Sequence, residues 1–159
     1  MKILIVSDTH RENYNFMKVL ESETPIDLLV HCGDIEGSEY TFSQVVKCPM
    51  HLITGNNDFF SDLPAEKEFK IGNLNVFLTH GHAYRVSAGF ELLRQEGRAR
   101  SADIVMFGHI HRPVAECVGG MWLINPGSLS YPRQDGRRPS YIVMTLEDDG
   151  EPKFEVKYL

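Results

Sequence analysis

One recurring unit constrains this chain more than any other feature. A short apolar run is followed at once by polar side chains of the kind that bind metals. The run at 3–6 ends in Ser7-Asp8-Thr9-His10, and the run at 28–30 in His31-Cys32-Gly33-Asp34. Leu52-Ile53 leads into Thr54-Gly55-Asn56-Asn57-Asp58, the run at 76–78 into Thr79-His80-Gly81-His82, and the run at 104–107 into Gly108-His109-Ile110-His111. Apolar runs this short and unbroken suit strands covered on both faces. Between them lie helical stripes: Phe16, Met17 and Leu20 behind a cap at Asn13; Phe42, Val45 and Val46 behind Ser38; and Phe90 and Leu93 behind Ser87, closing near Gly97. Strands alternating with helices predict an α/β fold. Beyond Pro113 the pattern changes. Runs at 114–118, 121–124, 141–146 and 154–158, separated by Gly119-Gly120, Pro126-Gly127 and Asp148-Asp149-Gly150, predict a mostly antiparallel C-terminal third. No repeat or linker interrupts the chain. The expectation is a single domain over residues 1–159, with a second sheet packed on the first and helices outside.

In open α/β sheets the loops beyond the carboxyl ends of strands converge on one crevice, so five separated segments can bring Asp, Asn and His together. Asp8/His10 and His109/His111 are i, i+2 pairs, which point to one side of an extended backbone. Glycines at 33, 55, 81 and 108 permit sharp turns or close approach. Alone, an Asp-x-His pair, a Gly-Asp step or a histidine pair is most simply a turn, a cap or a packed side chain. Five in succession, all at strand ends in a chain with seven histidines, point to one site. Imidazole with carboxylate and amide oxygen suits Mn, Fe, Zn or Ni better than Ca, and no thiolate is placed for a closed zinc site.

Bulk properties narrow the function further. The chain has 159 residues, 42% hydrophobic and 24% charged, as ordinary globular proteins do. A formal charge of −6 argues against a stable nucleic-acid complex or anionic-membrane binding. No apolar stretch approaches the ~20 residues of a bilayer helix. Residues 1–6 are too short for a signal peptide and lack a cleavage site. Three cysteines, Cys32, Cys48 and Cys117, form an odd set without Cys-x-x-Cys spacing. Reduced thiols in the cytoplasm are the expectation.

With these residues in hand, the sequence resembles the calcineurin-like metallophosphoesterases. Asp8-Thr9-His10, Gly33-Asp34, Gly55-Asn56-Asn57-Asp58, His80-Gly81 and Gly108-His109-Ile110-His111 follow that family's motifs in order over residues 8–111. The compact size, Arg112-Pro113 and Asn125-Pro126-Gly127-Ser128 resemble the small prokaryotic phosphodiesterase branch. The resemblance implies a four-layer α/β/β/α sandwich with two mixed sheets and flanking helices. It also implies two divalent metal ions, Mn before Fe, Zn or Ni. Asp8, His10 and His111 would hold one, Asn56, His80 and His109 the other, with Asp34 between them. The implied reaction is hydrolysis of a small phosphodiester by a metal-bridging hydroxide. A phosphomonoesterase is the alternative within enzymes; a metal-binding scaffold for protein contacts is the alternative outside them. All seven ligand positions hold competent residues, which disfavours the scaffold. Relatives often form oligomers, but no interface signature stands out.

The chain departs from the family in one place. Many members carry histidine after the ligand asparagine, where it is thought to protonate the leaving group with the next acid orienting it. Here those positions are Asn57 and Asp58. Asparagine can donate a hydrogen bond to a phosphoryl oxygen but is no general acid near pH 7. His82, two residues past a ligand, is a candidate for that role or for packing support. Arg133, Arg137 and Arg138 read as a solvated turn, with a basic loop facing substrate anions as the other reading. His31, Cys32, Cys48, Met121 and Trp122 are assigned to packing or strand edges.

Overall fold

The computed structural model describes residues 1–147 and 150–159, so the predicted turn at Asp148-Asp149 lies outside the described residues. Two five-stranded sheets form among them. The first contains β1 (Lys2–Val6), β2 (Leu28–His31), β3 (Met50–Leu52), β9 (Ser140–Leu146) and β10 (Pro152–Tyr158), in the order β10-β9-β1-β2-β3. The second contains β4 (Glu66–Ile71), β5 (Leu74–Thr79), β6 (Ile104–Met106), β7 (Pro113–Val118) and β8 (Met121–Pro126), in the order β4-β5-β6-β8-β7. Both are mixed. β1, β2 and β3 run parallel, as do β5, β6 and β8, while β9, β10, β4 and β7 pair antiparallel at the flanks. The predicted antiparallel C-terminal strands thus do not make a sheet of their own. They are divided between both sheets, and β8 joins β6 in parallel.

Strand parity builds the layers. Ile3 and Ile5 face one side of β1 and pack with Val76, Leu78, Ile104 and Met106 of the other sheet. Leu4 and Val6 face the opposite side and meet Phe16, Val19 and Leu20 of α1 (Asn13–Glu23) and Phe42 of α2 (Glu39–Val45). Phe77, Val105 and Leu123 likewise turn outward onto Leu93 of α3 (Glu91–Ala99). The result is the four-layer α/β/β/α sandwich. Trp122 packs against the inter-sheet core with its ring 4.9 Å from Phe154, as its assignment to packing requires. The last residue of α1, Glu23, is 5% exposed and ties that helix to the first sheet: Lys2 Nζ is 2.8 Å from one carboxylate oxygen, Lys157 Nζ and the Tyr141 hydroxyl 3.0 and 2.9 Å from the other. No described helix is long and apolar enough to cross a membrane.

The helix ends differ from expectation. Asn13 lies inside α1; its amide donates to Ser38 Oγ at 3.0 Å, which leaves Ser38 at the start of α2 without a side-chain cap bond. α3 begins at Glu91, not behind Ser87, because a short 3-10 turn (His82–Tyr84) and Gly89 at φ 145° occupy the approach. It ends two residues past Gly97, near the expected close. A Cβ there would come within 2.6 Å of Val105 Cγ2 and 2.8 Å of Met121 Sδ, so this glycine lets the helix lie on the sheet.

Candidate metal centre

The parallel strands of each sheet place the predicted residues at one end of the sandwich. Asp8 and His10 follow β1, Asp34 follows β2, Asn56 follows β3, His80 follows β5, and His109 and His111 follow β6. Donor atoms of Asp8, His10, Asp34 and His111 all lie within 4.8 Å of one another. Asn56 Oδ1 stands 2.8 Å from His109 Nδ1 and 3.1 Å from His80 Nε2. Asp34 Oδ2 lies between the two groups, 3.7 Å from His10 Nε2 and 3.5 Å from His80 Nε2.

The backbone that achieves this is not extended. Asp8, His10, Asp34, His109 and His111 have φ of 52°, 45°, 57°, 71° and 56°. The Asp8/His10 and His109/His111 pairs therefore share a direction through left-handed turns rather than through strand alternation. Asp and His tolerate this region better than most residues, yet each such position costs of order 1 kcal/mol or more. Long-range bonds hold them there: Asp8 N–H donates to the Gly33 carbonyl and His10 N–H to the Asp34 carbonyl, both at 3.0 Å. Two glycines make room. A Cβ at Gly55 would lie 2.1 Å from Asp34 Oδ1, and one at Gly108 would lie 2.2 Å from Ser7 Oγ and 2.9 Å from Asp8 Oδ2.

The donor set fits a divalent metal on the protein's own evidence. Asp8 is fully buried, yet its Oδ1 has no hydrogen-bond partner; His111 Nε2 stands 3.0 Å away without hydrogen-bond alignment. A bare buried carboxylate oxygen is costly unless a cation takes it. Three imidazoles are oriented from behind. His80 Nδ1 meets the Cys32 carbonyl at 2.7 Å, His111 Nδ1 the Tyr131 carbonyl at 2.7 Å, and His10 Nδ1 a Glu36 carboxylate oxygen at 2.6 Å. Each bond commits Nδ1 as donor and leaves Nε2 facing the cluster, the usual support for a metal ligand. Burial opposes charge on Asp8 and Asp34. His111, His80 and Ser7 nonetheless hold the Asp8 carboxyl below the usual range, and His80 with the Asn57 amides does the same for Asp34. Burial also disfavours charge on His80, but the two carboxylates raise its pKa.

Around this centre the other predicted residues separate. Asn57 borders it, donating from Nδ2 to Asp34 Oδ2 at 2.7 Å and from its backbone N–H to Oδ1 at 2.9 Å. The Asp58 carboxylate is directed away from Asn57's side chain: it accepts from the backbone N–H groups of Gly55, Ile35 and Glu36 and joins two ligand loops. His82 is exposed at the rim, its ring 5.5 Å from His80 and 6.1 Å from His109. His31 is a packed side chain. It accepts from Gly33 N–H and bonds Thr9 Oγ1 at 3.1 Å, and burial pushes its pKa down to about 4. The arginine loop is an exposed turn, and two of its arginines also border the cleft. Arg133 and Arg137, with Arg112, line an open cleft of about 700 Å³ together with His10, Asp34, Asn56 and Asn57. Arg138 points elsewhere, to the Leu159 and Tyr158 carbonyls.

Several supports carried no role in the sequence reading. Glu36 and the Tyr131 carbonyl orient histidines. Asn125 donates to the Gly108 carbonyl at 2.7 Å and Ser128 Oγ to the Asp8 carbonyl at 2.8 Å, so the Asn125-Pro126-Gly127-Ser128 segment props both ligand loops. The polar ends of that segment are the signal the sequence carries for this support.

The family model for the calcineurin-like phosphoesterase superfamily domain matches residues 1–149. The chain belongs to this superfamily. Among its relatives, a probable metallophosphoesterase, YsnB, of Bacillus subtilis (strain 168) is 33% identical over 150 residues, covering 94% of this chain and 86% of that one. Phosphodiesterase MJ0936 of Methanocaldococcus jannaschii is 30% identical, covering 80% and 83%. Among solved structures, a predicted phosphoesterase from Streptococcus pneumoniae TIGR4 superposes with a TM-score of 0.81 at 25% identity, covering 98% and 97%. Vps29 of Entamoeba histolytica, solved with Zn²⁺, superposes at 0.79 and 25% identity, covering 99% of each chain. This superfamily member therefore shares its fold with phosphoesterases and with Vps29 alike.

Proposed function

We propose that the protein is a divalent-metal-dependent phosphodiesterase acting on small phosphodiesters. The observation that carries this reading is the clustering of the seven candidate ligands, five of them lining an open cleft and Asp8 and His80 buried beside them, with an unpartnered buried carboxylate oxygen on Asp8. Asp8, His10, Asp34 and His111 would hold one metal, and Asn56, His80 and His109 with Asp34 the other. Manganese leads, with Fe, Zn or Ni also matching the donors. Two divalent cations, when bound, supply a hydroxide near neutral pH and polarise the phosphoryl oxygens. The chain's own residues do the rest. Asp34 joins the two ligand groups, Glu36 and the Cys32 and Tyr131 carbonyls fix the imidazoles, and the open cleft admits the ester. Asn57, at the cleft wall, offers an amide N–H to a phosphoryl oxygen. It has no proton to give a leaving alkoxide, so the reading favours esters whose leaving groups depart as anions. His82 serves at the rim.

The test is hydrolysis of bis-p-nitrophenyl phosphate against p-nitrophenyl phosphate by metal-stripped protein, with and without Mn²⁺, beside Asp34→Asn. Mn²⁺-dependent cleavage of the diester, lost in the variant, supports the proposal. Faster cleavage of the monoester replaces it with a phosphomonoesterase. Metal binding without turnover replaces it with the scaffold reading, which the likeness to Vps29 favours.

A further inference from the structure

The cleft has an anionic floor and a cationic wall, and the wall has no side-chain partner among the described residues. In a chain of net charge −6, four of the nine arginines have side-chain partners among the described residues: Arg94 with Glu116 at 2.6 Å, Arg100 with Glu66, Glu68 and Glu96, Arg11 with the Glu36 carbonyl, and Arg138 with the Tyr158 and Leu159 carbonyls. Arg112, Arg133 and Arg137 make neither an ion pair nor a side-chain hydrogen bond among the described residues, although Asp135 stands in the same loop. Three guanidinium groups on one wall repel one another, and fifteen N–H donors in fixed forks suit a tetrahedral oxyanion. Their backbone is tied to the centre. Arg112 follows His111 directly, Arg133 N–H donates to the His111 carbonyl at 2.9 Å, and Arg137, at φ 45°, closes the turn through the Gln134 carbonyl at 3.0 Å. Arg112 and Arg133 also border a second hollow of about 590 Å³ lined by Val86, Phe90, Ile110 and Val114. An anion on these arginines would sit between the metal centre and an apolar recess.

The geometry points to Arg112, Arg133 and Arg137 as a subsite for a second phosphoryl group, so that the substrate is an organic phosphodiester carrying an additional phosphate. This rests on the phosphoesterase reading of the centre. The scissile phosphate lies on the candidate ligands, the second on the arginines. In the reaction, water's oxygen bonds to phosphorus, one ester P–O bond breaks, and the leaving oxygen departs as an anion or takes a solvent proton. The second phosphate is unchanged.

Two probes separate the subsite from the centre: the p-nitrophenyl ester of thymidine 5′-phosphate, with and without a 3′-phosphate. The Mn²⁺-loaded protein should prefer the 3′-phosphorylated ester by about tenfold in kcat/KM, the scale of a charge-assisted contact at an exposed site. The ratio should fall to about one in Arg133→Gln/Arg137→Gln and persist in Arg138→Gln, which removes an equal type of charge away from the cleft. No preference in the wild type, a preference surviving the double substitution, or an equal loss in Arg138→Gln would each overturn the subsite. Calorimetric titration with thymidine 3′,5′-bisphosphate and thymidine 5′-phosphate reads the same ratio without turnover. If neither ester is cut but the bisphosphate binds about tenfold tighter, the subsite stands and the phosphodiesterase reading falls. Equal binding there overturns the subsite.

Discussion

Replacing Glu23 by glutamine removes the charge that holds α1 against three strands of the first sheet while keeping its shape. Burial alone would raise the Glu23 pKa, but bonds from Lys2, Lys157 and Tyr141 bring it from 4.5 to about 2. At ~1.4 kcal/mol per pH unit this amounts to about 3 kcal/mol of folding stability near pH 7. Because the folded-state pKa lies below the unfolded one, the contribution is complete above pH 4.5 and is lost as pH falls toward 2. Glu23→Gln should therefore unfold about 2–3 kcal/mol more easily at pH 7, lowering the thermal midpoint by ~4–12 °C in a chain of this size. Urea titrations of both proteins at pH 7, 5, 4 and 3 measure the difference. Groups common to both chains, including Asp8 and Asp34, cancel. The gap should hold from pH 7 to 5 and be roughly halved by pH 3. A gap independent of pH, or one below ~0.5 kcal/mol at pH 7, would refute the argument that the ion cluster carries the helix.

Two further substitutions test packing and chemistry. Gly97→Ala gains about 1 kcal/mol of helix propensity but drives a methyl into Val105 and Met121, a cost of ~1–3 kcal/mol. The expected net loss is about 1 kcal/mol by thermal unfolding, and a more stable variant would mean that α3 shifts freely over the sheet. Asn57→His places a proton donor at a position where the chain has none. Alkyl phosphodiesters should be cut about a hundredfold faster relative to bis-p-nitrophenyl phosphate, the low end of general acid catalysis. An unchanged ratio would remove the missing acid from the mechanism.

The candidate metal-binding residues were legible because each sits where an apolar run stops, and that boundary is written in side chains. β4 escaped notice for the opposite reason. Glu66, Lys67, Glu68 and Lys70 alternate with little apolar content, as an edge strand exposed to water allows, and its pairing with β5 is a tertiary fact. The supports of His80 and His111 are backbone carbonyls, which every residue carries and no sequence pattern marks. Ser87 was a plausible cap, but the 3-10 turn after β5 delays α3 until Glu91. Arg133 and Arg137 are exposed in a turn, as expected, and their place on the cleft wall was not legible. Whether an arginine is solvated or poised depends on which carboxylates lie within reach, and that distance appears only in three dimensions.

The candidate centre straddles a seam. Asp8, His10, Asp34 and Asn56 arrive from the first sheet, and His80, His109 and His111 from the second. Away from this end, the sheets meet chiefly through apolar side chains such as Ile5, Val30, Leu78 and Met106, which fix spacing but resist sliding weakly. A metal bound across the seam would act as a rivet, and the tightness of the rivet and the slip of the plates are one thermodynamic quantity seen from two sides. Trimming a methyl group between the sheets, far from any ligand, thereby becomes a way to tune metal affinity, and the metal that such a protein retains is partly chosen by its core.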